Sequence, residues 1–198
     1  MTEAMRSCHG SKIIHRDLKL ENILFADNSR FRIKIVDFGI AGVNRLGAVS
    51  EKSTAGSLRY LAPEVLTGKN KEATPELDIW SMGCIIYAML TSHYPFNGDS
   101  HKEFMAKISQ NAYKKLSAYK KISKPWNKLM CGMLRTSPRK RWNMLKIIEH
   151  LNHYRSNPTA PCDPPSDYSD DEHGNYEETK VSGAKRNSII ERSPKLKP

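Results

Sequence analysis

The chain has 198 residues, 27% of them charged, and a formal net charge of +11; this length predicts one domain with room for a tail. Its four cysteines, Cys8, Cys84, Cys131 and Cys162, are scattered without a C-x-x-C pair, which argues against a zinc site or a disulfide framework and fits a reduced intracellular protein. The opening MTEAMRSCHG holds no apolar core and the longest apolar-rich run, IWSMGCIIYAML at 79–90, is too short to span a bilayer, so neither a secretory signal nor a membrane partner is expected, and the expected location is cytoplasmic.

The charge is unevenly placed. Residues 156–198 carry eight acidic and six basic side chains, whereas residues 1–155 carry 13 acidic and 26 basic ones. Such a basic excess suits anionic partners (nucleotide phosphates, acidic proteins or nucleic acid) without choosing among them.

In chain order, residues 1–9 read as the last turns of a helix. IIHRDLKLENIL (13–24) follows, and its polar density between apolar ends reads as a loop carrying chemistry. NILF (22–25) and RIKIV (32–36) are short β-prone runs separated by the turn formers Asp27, Asn28 and Ser29, and together they predict a small hairpin. Residues 40–60 are polar and aperiodic. From residue 77 the pattern is helical: ELDIWSMGCIIYAMLTS is apolar nearly all round, as expected of a central buried helix. HKEFMAKISQ (101–110) predicts a short helix. Trp126, Leu129, Met130, Met133 and Leu134 form one helical face, and Met144, Ile147, Ile148 and Leu151 form another. The basic stretch Lys114–Lys128 lacks interleaved aromatics over most of its length and reads as a solvated face, so no nucleic-acid partner is expected. From Ser156 onward Pro, Asp, Ser and Glu dominate, and residues 156–198 are expected to be a disordered tail.

Three strings stand in order: His15-Arg16-Asp17 with Lys19 and Asn22, then Asp37-Phe38-Gly39, then Ala62-Pro63-Glu64. Any one tripeptide is weak evidence, but their joint order and spacing resemble the protein-kinase signature. Over residues 1–155 the chain resembles the C-terminal lobe of a eukaryotic-type protein kinase, a mainly α fold with a small β-hairpin. HRDLKLEN, with Lys at position 19, resembles the Ser/Thr type, and HRDLKLENIL with GSLRYLAPEVL looks most like the calcium/calmodulin-dependent-kinase group.

The resemblance implies ATP and Mg²⁺ as cofactors and a protein Ser/Thr hydroxyl as acceptor. Asp17 would accept or orient the hydroxyl proton, Lys19 would sit beside the transferred phosphate, and Asn22 and Asp37 would hold the metal through hard oxygen ligands. Leu24 would form the floor beneath the adenine. His15 and Phe38 read as packing residues. Asp78 resembles the family's brace of the catalytic loop, and Glu64 resembles the partner of an arginine that the spacing in SPRKRW assigns to Arg141 rather than Arg139. The segment 40–61 resembles an activation loop in which a phosphate on Ser53 or Thr54, placed by an upstream kinase, would pair with Arg16; both read equally well as ordinary polar loop positions. Ser57 matches the residue that touches the catalytic Asp and Lys. Glu21 matches a position that contacts a substrate arginine in basophilic relatives.

The 198 residues contain no G-x-G-x-x-G and no V-A-I-K-like strand before His15, so half of the family's nucleotide pocket is expected to be missing. Two readings follow: a fragment of a Ser/Thr kinase that transfers phosphate when complete, or an isolated lobe acting as an interaction or regulatory module.

Overall fold

The computed structural model describes residues 1–38, 58–68, 72–119 and 122–157. In chain order, α1 spans Thr2–Gly10, β1 Ile23–Phe25, β2 Ile33–Ile35, α2 Pro63–Leu66, α3 Pro75–Thr91, α4 His101–Ser109, α5 Lys124–Met133 and α6 Met144–Ser156. Short 3-10 turns lie at Leu20–Asn22, Leu116–Ala118 and Pro138–Lys140. Among the described residues the architecture is helix-rich with one two-stranded antiparallel sheet, as the periodicities lead one to expect. Gly39, Ser53, Thr54 and Ser57, and the tail from residue 158, lie outside the described residues.

α3 is the centre of the packing because its sequence leaves no polar stripe to face water. Leu77 through Tyr87 are buried without interruption. Pro75 starts the helix where its missing N–H is no loss, and Ser92 ends it in the left-handed conformation at φ 59°, its N–H bonded to the Ala88 carbonyl. The polar side chains inside it turn back onto backbone: Ser81 donates to the carbonyls of Tyr60 and Leu77, and Thr91 to that of Tyr87. Unsatisfied hydroxyls at such depth would be destabilising.

α5 packs against α3 and α6, and α1 packs against α6. Two glycines set how closely. A Cβ on Gly83 would come within 2.8 Å of the Leu134 side chain, and one on Gly132 within 2.3 Å of the Trp142 ring. Leu129, Met130 and Met133 are buried from α5, and Leu134 is buried just past the helix end. Trp126 and Leu151 are only half-buried, at the open edge of their faces. α4 begins with a reciprocal cap, in which Ser100 accepts from the Glu103 N–H while the Glu103 carboxylate accepts from the Asp99 N–H. Asn143 caps α6 by accepting from the Lys146 N–H. That helix runs through Ser156, the residue at which composition puts the start of the tail; helix ends are the least legible boundaries in a sequence.

The hairpin pairs Ile23 with Ile35, Leu24 with Lys34 and Phe25 with Ile33. Asp27 accepts from the Ser29 N–H in the turn, the local bond that makes Asp a turn former. One part of the basic stretch departs from the solvated-face expectation. The ammonium of Lys114 lies 4.9 Å from the Tyr119 ring centroid and that of Lys115 4.0 Å from Tyr113, and burial holds the Lys115 amine below the ordinary lysine range. Tyr113, just before the stretch, and Tyr119, within it, supply the partners.

Candidate active site

The loop between α1 and β1 is held from below by a single carboxylate on α3. Asp78 is fully buried. Its Oδ2 accepts from the His15 backbone N–H at 2.9 Å, and its Oδ1 from the Arg16 N–H at 2.8 Å. His9, at the end of α1, places Nε2 2.8 Å from the same Oδ2. A carboxylate buried this deeply needs several donors to offset its lost hydration, and here most of them are the backbone of the loop itself. Arg16 is thereby held at φ 70°, a conformation that a bulky residue keeps only when its surroundings enforce it.

His15 ties this loop to the end of the hairpin. The Asp17 N–H donates to His15 Nδ1 at 3.3 Å, which leaves Nε2 to donate to the Val36 carbonyl at 3.0 Å. The Phe38 ring lies 4.5 Å from the imidazole, so Phe38 packs on one side although it stays partly exposed. Asp37, between Val36 and Phe38, sits at φ 65° with its side chain exposed. One buried ring thus couples the placement of Asp17 to that of Asp37.

Around Asp17 the geometry is tight. Lys19 Nζ donates to Asp17 Oδ2 at 2.6 Å, and both side chains keep about a fifth of their surface, 22% and 23%. The hydrogen bond to Asp17 is the main cause that raises the Lys19 amine above the ordinary lysine range, with the charges of Asp17, Glu21 and Asp37 adding to it. Lys19 therefore stays cationic at neutral pH. Asn22 is buried in the 3-10 turn, and its Nδ2 donates to the Asp17 carbonyl at 2.8 Å, 3.4 Å from Asp17 Oδ2. That bond assigns the amide, because the carbonyl demands a donor, and it leaves Asn22 Oδ1 as a ligand oxygen. The Asn22 backbone carbonyl accepts from the Val36 N–H at 3.0 Å, joining the turn to the strand that leads to Asp37.

This donor set fits Mg²⁺ of one kind. Among the described residues no three His, Cys, Asp or Glu side chains converge on a metal-sized site. Asn22 Oδ1 and the Asp37 carboxylate are hard oxygens, and a cation they hold would fill its shell with phosphate oxygens and water, which is how Mg²⁺ is usually bound beside nucleotides.

Leu24 is on β1 and 50% exposed, and Glu21 is exposed in the 3-10 turn. Glu64, in α2, forms a two-pronged ion pair with Arg141 (Nη1–Oε1 2.8 Å, Nη2–Oε2 3.0 Å), in which both residues are buried. Arg141 also donates to the carbonyls of Glu76 and Arg135 and stacks 5.1 Å from the Trp80 ring centroid. His9 carries no signal in the sequence reading: 69 positions separate it from Asp78, and no local pattern reports such a pair.

Comparison with known proteins places these features in a family. Residues 1–152 match the protein kinase domain. The chain is 38% identical over 164 residues to the carbon catabolite-derepressing protein kinase of Secale cereale, covering 83% of this chain and 31% of that one. It is 33% identical over 160 residues to the serine/threonine-protein kinase RAD53 of Saccharomyces cerevisiae, covering 74% of this chain and 19% of that one. Among solved structures, the Rad53 kinase domain with SCD2 in complex with AMPPNP is similar at a TM-score of 0.62 and 31% identity, covering 75% of this chain and 54% of the other. The chain therefore spans about a third or less of these two curated relatives and about half of that solved chain.

Proposed function

The chain belongs to the protein kinase family, with Ser/Thr kinases among its relatives, and on that premise we propose that it carries the phosphoacceptor-activating and metal-holding part of a serine/threonine protein kinase. The observation that carries this reading is the Asp17–Lys19–Asn22 cluster, locked by Asp78 and His15 to the backbone beside Asp37. Phosphoryl transfer asks for positioning and charge stabilisation, and this cluster supplies both. The Asp17 carboxylate accepts the proton of a substrate Ser or Thr hydroxyl. The hydroxyl oxygen bonds to the γ-phosphorus of ATP while the bond to the bridging oxygen breaks, and ADP leaves with that electron pair. Lys19, kept cationic by Asp17, offsets charge on the transferring group. Asn22 and Asp37 would hold Mg²⁺, which would neutralise charge on the β- and γ-phosphates.

A second reading, an isolated lobe that binds partners, is favoured by one observation. The hairpin leaves Phe25 61% and Phe31 94% exposed, apolar surface on which another domain or protein would fit. The chain carries no G-x-G-x-x-G phosphate loop, so the nucleotide clamp has to come from elsewhere.

The test is a radiolabelled-ATP transfer assay with Mg²⁺ and a Ser/Thr peptide mixture. It is run on the chain and on a chimera in which residues 1–157 replace the matching part of the Rad53 kinase domain, each beside Asp17→Asn. Transfer by the chimera that falls roughly a hundredfold to ten-thousandfold in Asp17→Asn, the range of general-base contributions, supports the kinase reading. A chimera that melts cooperatively but transfers nothing favours the partner-binding reading.

A further inference from the structure

α5 and α6 leave an open groove of about 300 Å³ on the surface between them. Pro125, Trp126 and Leu129 line it from α5, and His150, Tyr154 and Arg155 from α6. One wall is aromatic: the His150 ring lies 5.3 Å from Trp142 and 4.8 Å from Tyr154, edge to face in both cases. His150 is fixed there because its Nε2 donates to the Pro125 carbonyl at 2.9 Å. The rim is basic. Lys124 stands between Ser123 and Pro125, which both border the groove, and Arg155 is exposed at its end. The charge of Lys128 is felt by the His150 ring. Among the described residues no Asp or Glu lines this groove.

Residue order accounts for the charge and supplies its complement. From Phe104 to Ile148 the chain holds twelve Lys and Arg and no Asp or Glu. The opposite sign follows directly on α6, since residues 156–179 hold seven Asp and Glu and no Lys or Arg. Within that run DYSDDE, residues 167–172, sets one tyrosine among four carboxylates.

We propose that the groove between α5 and α6 is the docking site of this chain's own segment Asp167–Glu172, with Tyr168 against the aromatic wall and the carboxylates on the basic rim. A tyrosine ring gains from edge-to-face contact with other rings while its hydroxyl stays in water, so an open aromatic groove suits it. Asp167, Asp170, Asp171 and Glu172 meet Lys124, Lys128 and Arg155. Single exposed ion pairs are weak, and the tether offsets that weakness. Tyr154 and Arg155 stand three and two positions before Asn157, so the segment is rooted beside the groove it fills. Residues 158–167 reach at most about 33–36 Å when extended, ample for a return over a site that close. A tether this short keeps the segment at an effective concentration on the order of millimolar. The contact does not depend on the kinase reading and uses no residue of the Asp17 cluster.

Hydrogen–deuterium exchange of the full 198-residue chain, read by mass spectrometry, tests this. Three changes in the segment, Asp167→Lys, Asp170→Lys and Asp171→Lys, should speed amide exchange in α5 and the second half of α6 by about threefold to tenfold, the scale of a few exposed ion pairs. Exchange in α3 should stay as it was, which verifies that the fold is kept. Lys124→Glu, Lys128→Glu and Arg155→Glu together should have the same effect from the other side, because all three positions are exposed or half-buried. Combining the two sets reverses both charges and should restore the protection, a result that no general loss of stability gives. Tyr168→Ser alone should lose part of it with every charge in place. Exchange that is unchanged by the segment variants overturns the proposal, and so does a combined variant with no restoration. Protection that rises with protein concentration overturns it too, since a second copy would then fill the groove. Should the groove variant lose its α3 protection, the segment variants and Tyr168→Ser decide by themselves.

Discussion

Asp78 shows how a single buried charge organises a site it does not enter. Its two oxygens accept the consecutive amides of His15 and Arg16 and meet the His9 ring. Replacing it with Leu orphans both amides, at about 1–3 kcal/mol for each group left unpaired. Asp78→Asn keeps the shape and can still accept one amide, so its loss should lie between Leu and wild type. Urea unfolding midpoints read this order directly, and an Asp78→Leu protein as stable as wild type would show that the loop is held by other means. Glu64 and Arg141 make the complementary case. Glu64→Ala leaves a buried guanidinium without its counter-charge and is expected to cost about 3–5 kcal/mol, whereas Glu64→Met with Arg141→Leu should recover much of that loss. The double-mutant cycle would place the coupling at zero if the pair were merely adjacent.

The helices meet where side chains are absent. Gly132 lets α5 approach the Trp142 ring more closely than any larger residue allows, and the Trp142 N–H donates to the Gly132 carbonyl at 3.0 Å. Gly132→Ala must move that ring or the backbone, and a loss of about 1–3 kcal/mol is expected, the usual result of overpacking. Gly10, the last residue of α1, has open space where its Cβ would go. Gly10→Ala should therefore be neutral or stabilising by up to about 1 kcal/mol, the helix preference of Ala over Gly. Thermal melts of the two variants should move in opposite directions, or at least not together. The hairpin contributes differently. Its three-residue strands bury little, and its register matters because the strand leads through Val36, whose N–H is bonded to the Asn22 carbonyl, to Asp37.

Among the described residues the packing has a well-buried centre around α3, and the hairpin leaves Phe25 and Phe31 exposed. Phe25 and Phe31 exposed together predict binding of a hydrophobic dye and concentration-dependent self-association, and Phe25→Ser with Phe31→Ser should reduce both. A chain that sediments as a monomer at all concentrations without dye binding would remove this expectation. Where α5 meets α6, stability is expected to depend on pH. Burial first, and then the positive charges of Lys128 and His153, hold the His150 imidazole below its ordinary range, while its bond to the Pro125 carbonyl pulls the other way. A folded-state value below the unfolded one means that the unfolded chain takes up the proton first. Stability from this group is present above the unfolded value, about 6.5, and is lost as pH falls below it. Urea midpoints at pH 7.5 and 5.5 should differ more in wild type than in His150→Gln.

Much of this was legible in residue order. The strings HRDLKLEN, DFG and APE report chemistry because phosphoryl transfer fixes residue types at short spacings. The uniformly apolar run of α3 reports its own burial. The choice of Arg141 over Arg139 also came from spacing, and the ion pair with Glu64 is there in three dimensions. What spacing could not supply were contacts across long loops: His9 to Asp78 over 69 positions, Tyr60 to Tyr94 over 34, and the ring of His15 joining Asp17 to Val36. Short motifs are set by local geometry and by the chemistry they perform, so sequence alone determined the family likeness, the helical content and the catalytic candidates. Which buried groups brace the loop and how closely α5 may approach its neighbours were decided only by tertiary packing. Burial and hydrogen-bond satisfaction are properties of surfaces brought together by the fold, and no single segment carries them.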